Sequence, residues 1–207
     1  MVFLVKTKIY GHFLMNWIIS NGMKHRKLAF VDIETTGLDP FRHEVVEIGI
    51  VLALQRADLF DKQCLELLSE HEIQLLPKHI ETADQKALEV TKYFKRDRSK
   101  AVPQKEGLAQ AATILDGTIF VAQNVAFDWA FLQKAGNEYG VNFEKAVYYH
   151  KLDLASMALG KFYHIPELAK FTLRELTVHF DVVNEDAHTA LADARATFEI
   201  CKKLLAL

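Results

Sequence analysis

The sequence predicts one α/β domain, and three observations support this fold class. Apolar runs suited to buried strands alternate with segments whose apolar residues follow helical spacing. Hydrophobic residues make up 50% of the 207 positions, which suffices for one sizeable core. The sequence has no repeat or low-complexity tract, and its length favours a single domain.

Strands are predicted mainly in the first part of the domain and helices in the second. The first strand begins at Leu28 and ends at a turn marked by Gly37. The third strand is ambiguous, because its leucine and glutamate spacing also fits a helix. The other predicted strands are 44–54, 62–76 (the third), 118–121 and 146–151, and the predicted helices are 83–93, 105–115, 127–138, 154–159 and 172–180, followed by a terminal helix.

Residues 1–26 are predicted to be an N-terminal extension outside the domain, which would span residues 27–207. The apolar stretch 9–19 is too short to cross a bilayer and lacks the features of a signal peptide. Two explanations stay open for this segment: a true start at Met23, or a short interaction helix. Because Cys64 and Cys201 have no metal-ligand spacing and no membrane segment is predicted, we expect a reduced, cytoplasmic protein without membrane partners.

The first candidate site motif lies at the end of the first strand. Side chains alternate faces along a strand, so Asp32 and Glu34 project to the same side. Two crowded carboxylates that lose hydration repel each other unless a cation lies between them. Oxygen ligands of this kind favour Mg²⁺ or Mn²⁺ over zinc. The alternative is a solvated strand end with incidental acids.

Two later motifs contain Asp128, His188 and Asp193. Asp128 is predicted in the first turn of a helix, where the helix dipole alone would also favour an acid. Asp193 borders the apolar stripe of the terminal helix, so it can face the sheet. His188 comes five residues earlier, about 140° away on a continuous helix, and must precede that helix if both residues share a site. Otherwise His188 would be a surface or capping residue.

In this order the motifs resemble those of the DnaQ-like, or DEDDh, 3'-to-5' exonucleases, over roughly residues 27–207. The first family motif, D-x-E followed by T-T-G-L, matches the segment from Asp32 to Leu38. The second, H-N-x-x-F-D, matches residues 123–128, except that Gln123 replaces the histidine. The third, H-x4-D, matches the segment from His188 to Asp193.

The resemblance implies a ribonuclease H-like mixed five-stranded sheet flanked by helices. It also implies two Mg²⁺ or Mn²⁺ ions, with His188 as the general base that takes the proton of the attacking water. Backbone amides of the T-T-G-L turn would contact the terminal nucleotide, and Leu38 would lie against the last base. The implied metal ligands are Asp32, Glu34, Asp128 and Asp193, and the implied substrate-binding residues are Thr35, Thr36, Gly37, Leu38, Asn124 and Phe127.

The substrate class stays open between nucleic acids. Thr35 and Thr36 resemble the DNA-proofreading pattern more than the Glu-Met-Thr form of oligoribonucleases, so the 3' end of single-stranded DNA is preferred over RNA. The alternatives are an RNA-trimming exoribonuclease of the ribonuclease T or oligoribonuclease kind and a catalytically silent nucleic-acid-binding module. A polymerase partner is an unsupported expectation, because the C-terminal tail of epsilon subunits is not recognisable here.

Charge adds little to the prediction of nucleic-acid binding. The net charge is only −2, so affinity must come from bound metals and local patches. One basic run could steer a phosphate backbone or could be a solvated connection between helices. Asp153 is predicted to cap the following helix rather than to act as a fifth metal ligand. The basic run comprises Lys92, Lys95, Arg96, Arg98, Lys100 and Lys105.

Overall fold

The computed structural model describes residues 23, 26–55, 65–166 and 168–207. These residues form a mixed six-stranded sheet in the order β4-β3-β2-β1-β5-β6. The strands are β1 (Leu28–Thr35), β2 (Val45–Gln55), β3 (Leu65–Leu76), β4 (Val102–Pro103), β5 (Ile119–Ala122) and β6 (Lys151–Asp153). The helices are α1 (Gln85–Val90), α2 (Gln104–Ile114), α3 (Val125–Tyr139), α4 (Phe143–Ala146), α5 (Leu154–Phe162), α6 (Leu173–His179) and α7 (Ala190–Leu205).

The central strand β1 carries the core on both of its faces. It pairs antiparallel with β2 and parallel with β5. Ala29, Val31 and Ile33 belong to the core layer that contains residues of α2 and α3. Leu28 and Phe30 belong to the opposite layer, which contains residues of α5 and α7. Because side chains alternate along a strand, Asp32 and Glu34 continue the face of Leu28 and Phe30, toward α7.

The predicted count of five strands is wrong for the described residues, which contain six. The additional strand β4 has two residues, too few to produce an alternating pattern in the sequence. The predicted strand 146–151 is also misplaced, because β6 begins only at Lys151. Of the predicted strand, Ala146 ends the one-turn helix α4 and 147–150 are irregular. The Asn142 side chain caps α4 by accepting a hydrogen bond of 2.9 Å from the Lys145 amide.

The predicted helices are confirmed, with shifts at their ends. The largest shift affects 83–93, since α1 covers only Gln85–Val90 and Lys92 adopts a left-handed backbone with φ of 52°. The ambiguous third element is the strand β3, which begins at Leu65, and residues 62–64 lie outside the described part. The terminal helix α7 begins at Ala190 with Thr189 as its N-cap.

The N-terminal extension is mostly outside the described residues, which include only Met23 and Arg26 of it. Met23 packs against the core layer of α7, and its carbonyl accepts a hydrogen bond of 2.6 Å from the Gln55 side chain. Within the described ranges, no helix is long and apolar enough to cross a membrane. Cys201 is buried on α7, as the apolar stripe predicts, whereas Cys64 is not described.

Candidate active site

Among the described residues, three carboxylates meet where the end of β1 faces the start of α7. One oxygen from each of Asp32, Glu34 and Asp193 lies within 4.8 Å of the other two. Asp32 and Glu34 share a face of β1 because they are two residues apart. Asp193 lies in the first turn of α7. The structure therefore brings together three of the four acids that the sequence motifs single out.

Asp128, the fourth acid, lies beside this trio. It occupies the first turn of α3, as predicted, and is only 3% exposed. Its Oδ1 accepts a hydrogen bond of 3.2 Å from the backbone amide of Ile33, the residue between the two acids of β1. The negative charge of Asp128 raises the pKa of Asp32 more than that of any other neighbouring acid. The two carboxyl groups therefore belong to one electrostatic cluster.

Burial raises the pKa of all four carboxyl groups. The effect brings the pKa of Glu34 to about 8, and neighbouring acids add to the effect of burial. The pKa values of Asp32, Asp128 and Asp193 are also raised, mainly by loss of solvent. In the described part of the chain, no lysine, arginine or histidine forms an ion pair with any of them. Among these described residues, the charges of the carboxyl groups are therefore not balanced by ion pairs with basic side chains. Clustered oxygen ligands of this kind fit divalent cations such as Mg²⁺ or Mn²⁺.

His188 lies outside the helix, in the segment that leads into α7. Its backbone has a positive φ of 69°, and its side chain is exposed. The His188 amide donates a 3.2 Å hydrogen bond to Oδ2 of Asp193, while Asn184 donates a 2.6 Å bond to Oδ1. Each Asp193 oxygen keeps further acceptor capacity, since a carboxylate oxygen has two lone pairs. From the sequence, His188 must precede the helix if it shares a site with Asp193, and it does precede it.

A groove of about 250 Å³ opens beside Glu34. Leu38 projects into solvent at its edge, with 78% of its surface exposed. Lys86 of α1 contributes a positive charge to the lining, which also contains the acids Glu34 and Asp84. Three of the residues implied for substrate binding line this groove: Thr35, Leu38 and Phe127.

Thr36 and Gly37 do not line the groove, and both make close contacts within the fold. The Thr36 amide donates a 2.9 Å hydrogen bond to the Glu44 carbonyl, and Thr36 Oγ1 accepts one of 2.9 Å from the Glu44 amide. The Thr36 amide is therefore already paired within the fold, and the contact of this turn with a nucleotide stays a prediction. A Cβ at Gly37 would lie 2.5 Å from the His43 ring, so a larger residue here would displace that half-buried side chain. Asn124 is exposed at the start of α3 and does not line the groove.

Two further polar residues near the site make structural hydrogen bonds. Gln123, which replaces the family's histidine, donates a 2.7 Å bond to the Phe171 carbonyl. Asp153 accepts bonds of 2.8 Å from the Val125 amide and 2.7 Å from the Ser156 amide. Asp153 therefore caps α5, as predicted.

Sequence reasoning missed Glu47, a fully buried acid on β2. Its Oε1 accepts a 2.9 Å hydrogen bond from the Ala190 amide, and its Oε2 pairs with Arg96. A signal was present, because Glu47 lies between Val46 and Ile48 in a continuous apolar run. A charged residue at such a position is expensive to bury without partners.

The basic run divides into two groups. Arg96 and Arg98 face inward, and Arg98 donates a 2.9 Å hydrogen bond to the Val46 carbonyl while lying over the Tyr93 ring. Their charges partly offset the raised pKa of Glu34. The exposed members, which can still meet a phosphate backbone, are Lys92, Lys95, Lys100 and Lys105.

Comparison with known proteins shows which family this chain resembles. The sequence model of the RNase T exonuclease family matches residues 29–201. The 3'-5' exonuclease DinG of Staphylococcus saprophyticus is 26% identical over 172 residues, which are 83% of this chain and 17% of that protein. The PolC-type DNA polymerase III of Thermotoga maritima is 29% identical over 171 residues, 82% of this chain and 11% of that protein. The chain thus spans a small part of these relatives' length.

Solved structures agree on the fold. The crystal structure of E. coli Exonuclease I in complex with a dT13 oligonucleotide has a TM-score of 0.70 at 17% identity, covering 86% of this chain and 40% of that one. Exonuclease I from Methylocaldum szegediense has a TM-score of 0.66 at 19% identity, covering 87% and 40%. The predicted ribonuclease H-like α/β class is confirmed. Since the family model extends over most of the sequence, the chain belongs to the RNase T/DnaQ family of DEDD 3'-5' exonucleases.

Proposed function

We propose that this chain is a Mg²⁺- or Mn²⁺-dependent 3'-to-5' exonuclease that shortens single-stranded DNA and releases nucleoside monophosphates. The observation that carries the proposal is the carboxylate trio, whose oxygens lie within 4.8 Å of one another at the end of β1. We assign the activity to a domain of residues 27–207 and regard residues 1–26 as an extension.

The proposed metal ligands are the four clustered acids. When bound, two divalent cations about 4 Å apart would neutralise the phosphate and activate water. The protein supplies the oxygen ligands, which are held by three separate elements, so the fold fixes their spacing. Glu34 and its neighbours would lose their protons on metal binding, since a cation favours the charged carboxylate. The ligands are Asp32, Glu34, Asp128 and Asp193.

His188 is the proposed general base. Its exposed side chain lies beside Asp193, to which its own backbone amide is hydrogen-bonded. A neutral imidazole has a nitrogen that can accept the proton of the attacking water and pass it to solvent. The exposed position favours this exchange of protons.

The groove beside Glu34 is the proposed site of the 3'-terminal nucleotide. Leu38 and Phe127 offer apolar surface to the base, and Lys86 offers a charge to the backbone phosphate. None of these contacts distinguishes one base from another, so the groove suits an exonuclease without sequence preference. Thr35 lines the same groove, whereas Asn124 would contact the strand only outside it.

DNA is the preferred substrate because the relatives include a PolC-type DNA polymerase and Exonuclease I was crystallised with a dT13 oligonucleotide. RNA trimming is the alternative, and it differs by acceptance of the 2'-hydroxyl. A catalytically silent binding module is disfavoured, because all four acids are present. The alignment with PolC-type polymerases spans only 11% of the Thermotoga protein, so proofreading and a polymerase partner are not part of the proposal.

The test is digestion of 5'-labelled DNA and RNA strands of the same sequence, with Mn²⁺ and with a chelator. We expect a ladder of DNA shortened from the 3' end, which the chelator abolishes, and slower digestion of RNA. Asp32→Asn serves as the inactive control, because it keeps the shape of the side chain. Faster digestion of RNA would reverse the substrate preference, and intact strands at saturating Mn²⁺ would refute the enzymatic proposal.

A further inference from the structure

Glu47 connects the sheet to the start of α7. It lies on β2 directly opposite Glu34 in the β1–β2 register, and none of its surface is exposed. Both carboxylate oxygens have partners: Oε1 accepts the 2.9 Å hydrogen bond from the Ala190 amide, and Oε2 pairs with Arg96. Glu47 is therefore close to the acidic cluster while its oxygens are directed elsewhere.

Gly49 makes room for the same contact. It lies opposite Asp32 in the register and, two residues after Glu47, on the same face of β2. A Cβ at this position would lie 2.2 Å from the carbonyl carbon and oxygen of Ala190, which are backbone atoms that cannot turn away. Only glycine therefore allows α7 to approach the sheet this closely.

The contact occurs between two proposed functional residues. Ala190 is the first residue of α7, two positions after His188 and three before Asp193. Because the first helical turn is rigid, fixing the Ala190 amide fixes the direction of Asp193 relative to the acids of β1. Arg96 balances the charge of Glu47, so no metal ion is needed there.

We propose that Glu47 and Gly49 are positioning residues that hold the first turn of α7, and so Asp193 and His188, in register with the acids of β1. Glu47 acts as a hydrogen-bond acceptor for Ala190 and is not itself a metal ligand. The expected effect on kcat rests on the proposed exonuclease function. The expected effect on Mn²⁺ binding can be measured without nucleic acid.

The experiment compares Glu47→Ala and Glu47→Gln by two readouts: kcat on labelled DNA, and the rise in melting temperature on titration with Mn²⁺ alone. Glutamine keeps an acceptor oxygen for Ala190 but turns its amide nitrogen toward Arg96, which still has Glu72 as a partner, whereas alanine removes the acceptor. We expect Glu47→Ala to lower kcat about tenfold or more and to require more Mn²⁺ for half of the melting shift, which is an effect of the size seen for residues that orient ligands. Glu47→Gln should restore both readouts to within about threefold of the parent.

Two further variants keep the test decisive if Glu47→Ala does not fold. Gly49→Ala leaves Glu47 in place but pushes α7 from the sheet, so it should reproduce the loss. Gly160→Ala is the matched control, because a Cβ there meets nothing within 4 Å. Glu70→Gln is a second control, since it weakens the exposed pair between β3 and Arg195 of α7 without touching Ala190.

The proposal is overturned by either of two results. Parent-like kcat and Mn²⁺ response in folded Glu47→Ala and Gly49→Ala would show that the contact positions nothing. A Glu47→Gln variant as defective in Mn²⁺ binding as Asp32→Asn would make Glu47 a ligand. If the parent digests no nucleic acid, the proposed function fails, while the Mn²⁺ melting titration still decides the role of Glu47.

Discussion

The contact between β1 and α7 has an apolar end and an acidic end, and burial has opposite energetic effects at the two ends. At the apolar end, Phe30 meets Phe198 with ring centroids 5.3 Å apart. At the acidic end, further along the same face of β1, Asp32 and Glu34 meet Asp193. One strand and one helix therefore provide both a part of the core and most of the candidate site.

Burial acts differently at these ends. Phe30 and Phe198 are removed from water, which favours folding in proportion to the apolar area buried. The same exclusion of water raises the pKa of the acids, because it disfavours their charged forms. Substitutions at the apolar end should therefore lower mainly stability, whereas substitutions of the acids should lower mainly activity.

Removing any one of the clustered acids should abolish nucleotide release. In the metal-free protein, Asp32→Ala relieves repulsion, so its melting temperature in chelator should equal or exceed that of the parent. Asp128→Ala should gain less, because it also removes the acceptor of the buried Ile33 amide. Kinetics at saturating Mn²⁺ and melting curves measure the two effects. Near-parent activity of Asp128→Ala would remove this residue from the site.

Replacing His188 with alanine should lower kcat by about 10²–10⁴-fold while leaving Mn²⁺ binding and substrate affinity close to those of the parent. If His188 is the base, the parent rate should rise with pH as the base loses its proton, and the variant should lose that rise. The measurement is kcat against pH at saturating Mn²⁺. His164→Ala, another exposed histidine, is the control. An unchanged pH profile at near-parent rate would exclude His188 as the base.

At the apolar end, Phe198→Ala should cost about 3–5 kcal/mol of unfolding free energy, because it leaves a cavity against Phe30. Activity should persist at temperatures where the variant is folded. Denaturant unfolding followed by kinetics at low temperature checks both statements. The exposed Leu205 of the same helix is the control, and Leu205→Ala should cost far less. A stable variant with lost activity would contradict the division between the two ends.

The acidic end should make the metal-free protein less stable as the pH rises. Burial raises the pKa of Glu34 from 4.5 to about 8, so the folded chain holds a proton that the unfolded chain releases between these values. The folded state is then favoured most at low pH, and this contribution is lost as the pH rises through about 8. The melting temperature in chelator should fall over this window, and less so in Glu34→Gln.

Two comparisons complete the pH experiment. Saturating Mn²⁺ should remove most of the decline, because a bound cation stabilises the charged carboxylates. Glu106→Gln, which changes an exposed acid of α2, should leave the decline unaltered. A melting temperature that rises with pH in chelator would contradict the raised pKa values.

The smallest effect is expected from removal of Met1–Gly22. No residue of either end of the β1–α7 contact belongs to this segment, and Met23, which packs on the core, is retained. Melting temperature and kcat should stay close to those of the full chain. A large drop in melting temperature would show that the segment packs on the domain, and residues 1–26 would then be part of it.

The sequence by itself determined the local features of this protein. Alternation along a strand places Asp32 and Glu34 on one face, and helical spacing places Cys201 on the buried stripe of α7. Asp128 was predictable in a first turn and Asp153 at a cap, because these preferences depend on a few neighbouring residues. Such features follow from backbone geometry, which the chain carries at every position.

Tertiary structure decided which of these local features meet. Glu47 and Ala190 are far apart in sequence, and only the packing of α7 on β2 makes the buried acid an acceptor for the helix start. The buried charge of Glu47 likewise holds Arg96 and Arg98 inward, although the lysines of the same basic run are exposed. A local apolar pattern can indicate that a residue is buried, but the element that covers it comes from elsewhere in the chain, so the pattern does not specify the partner.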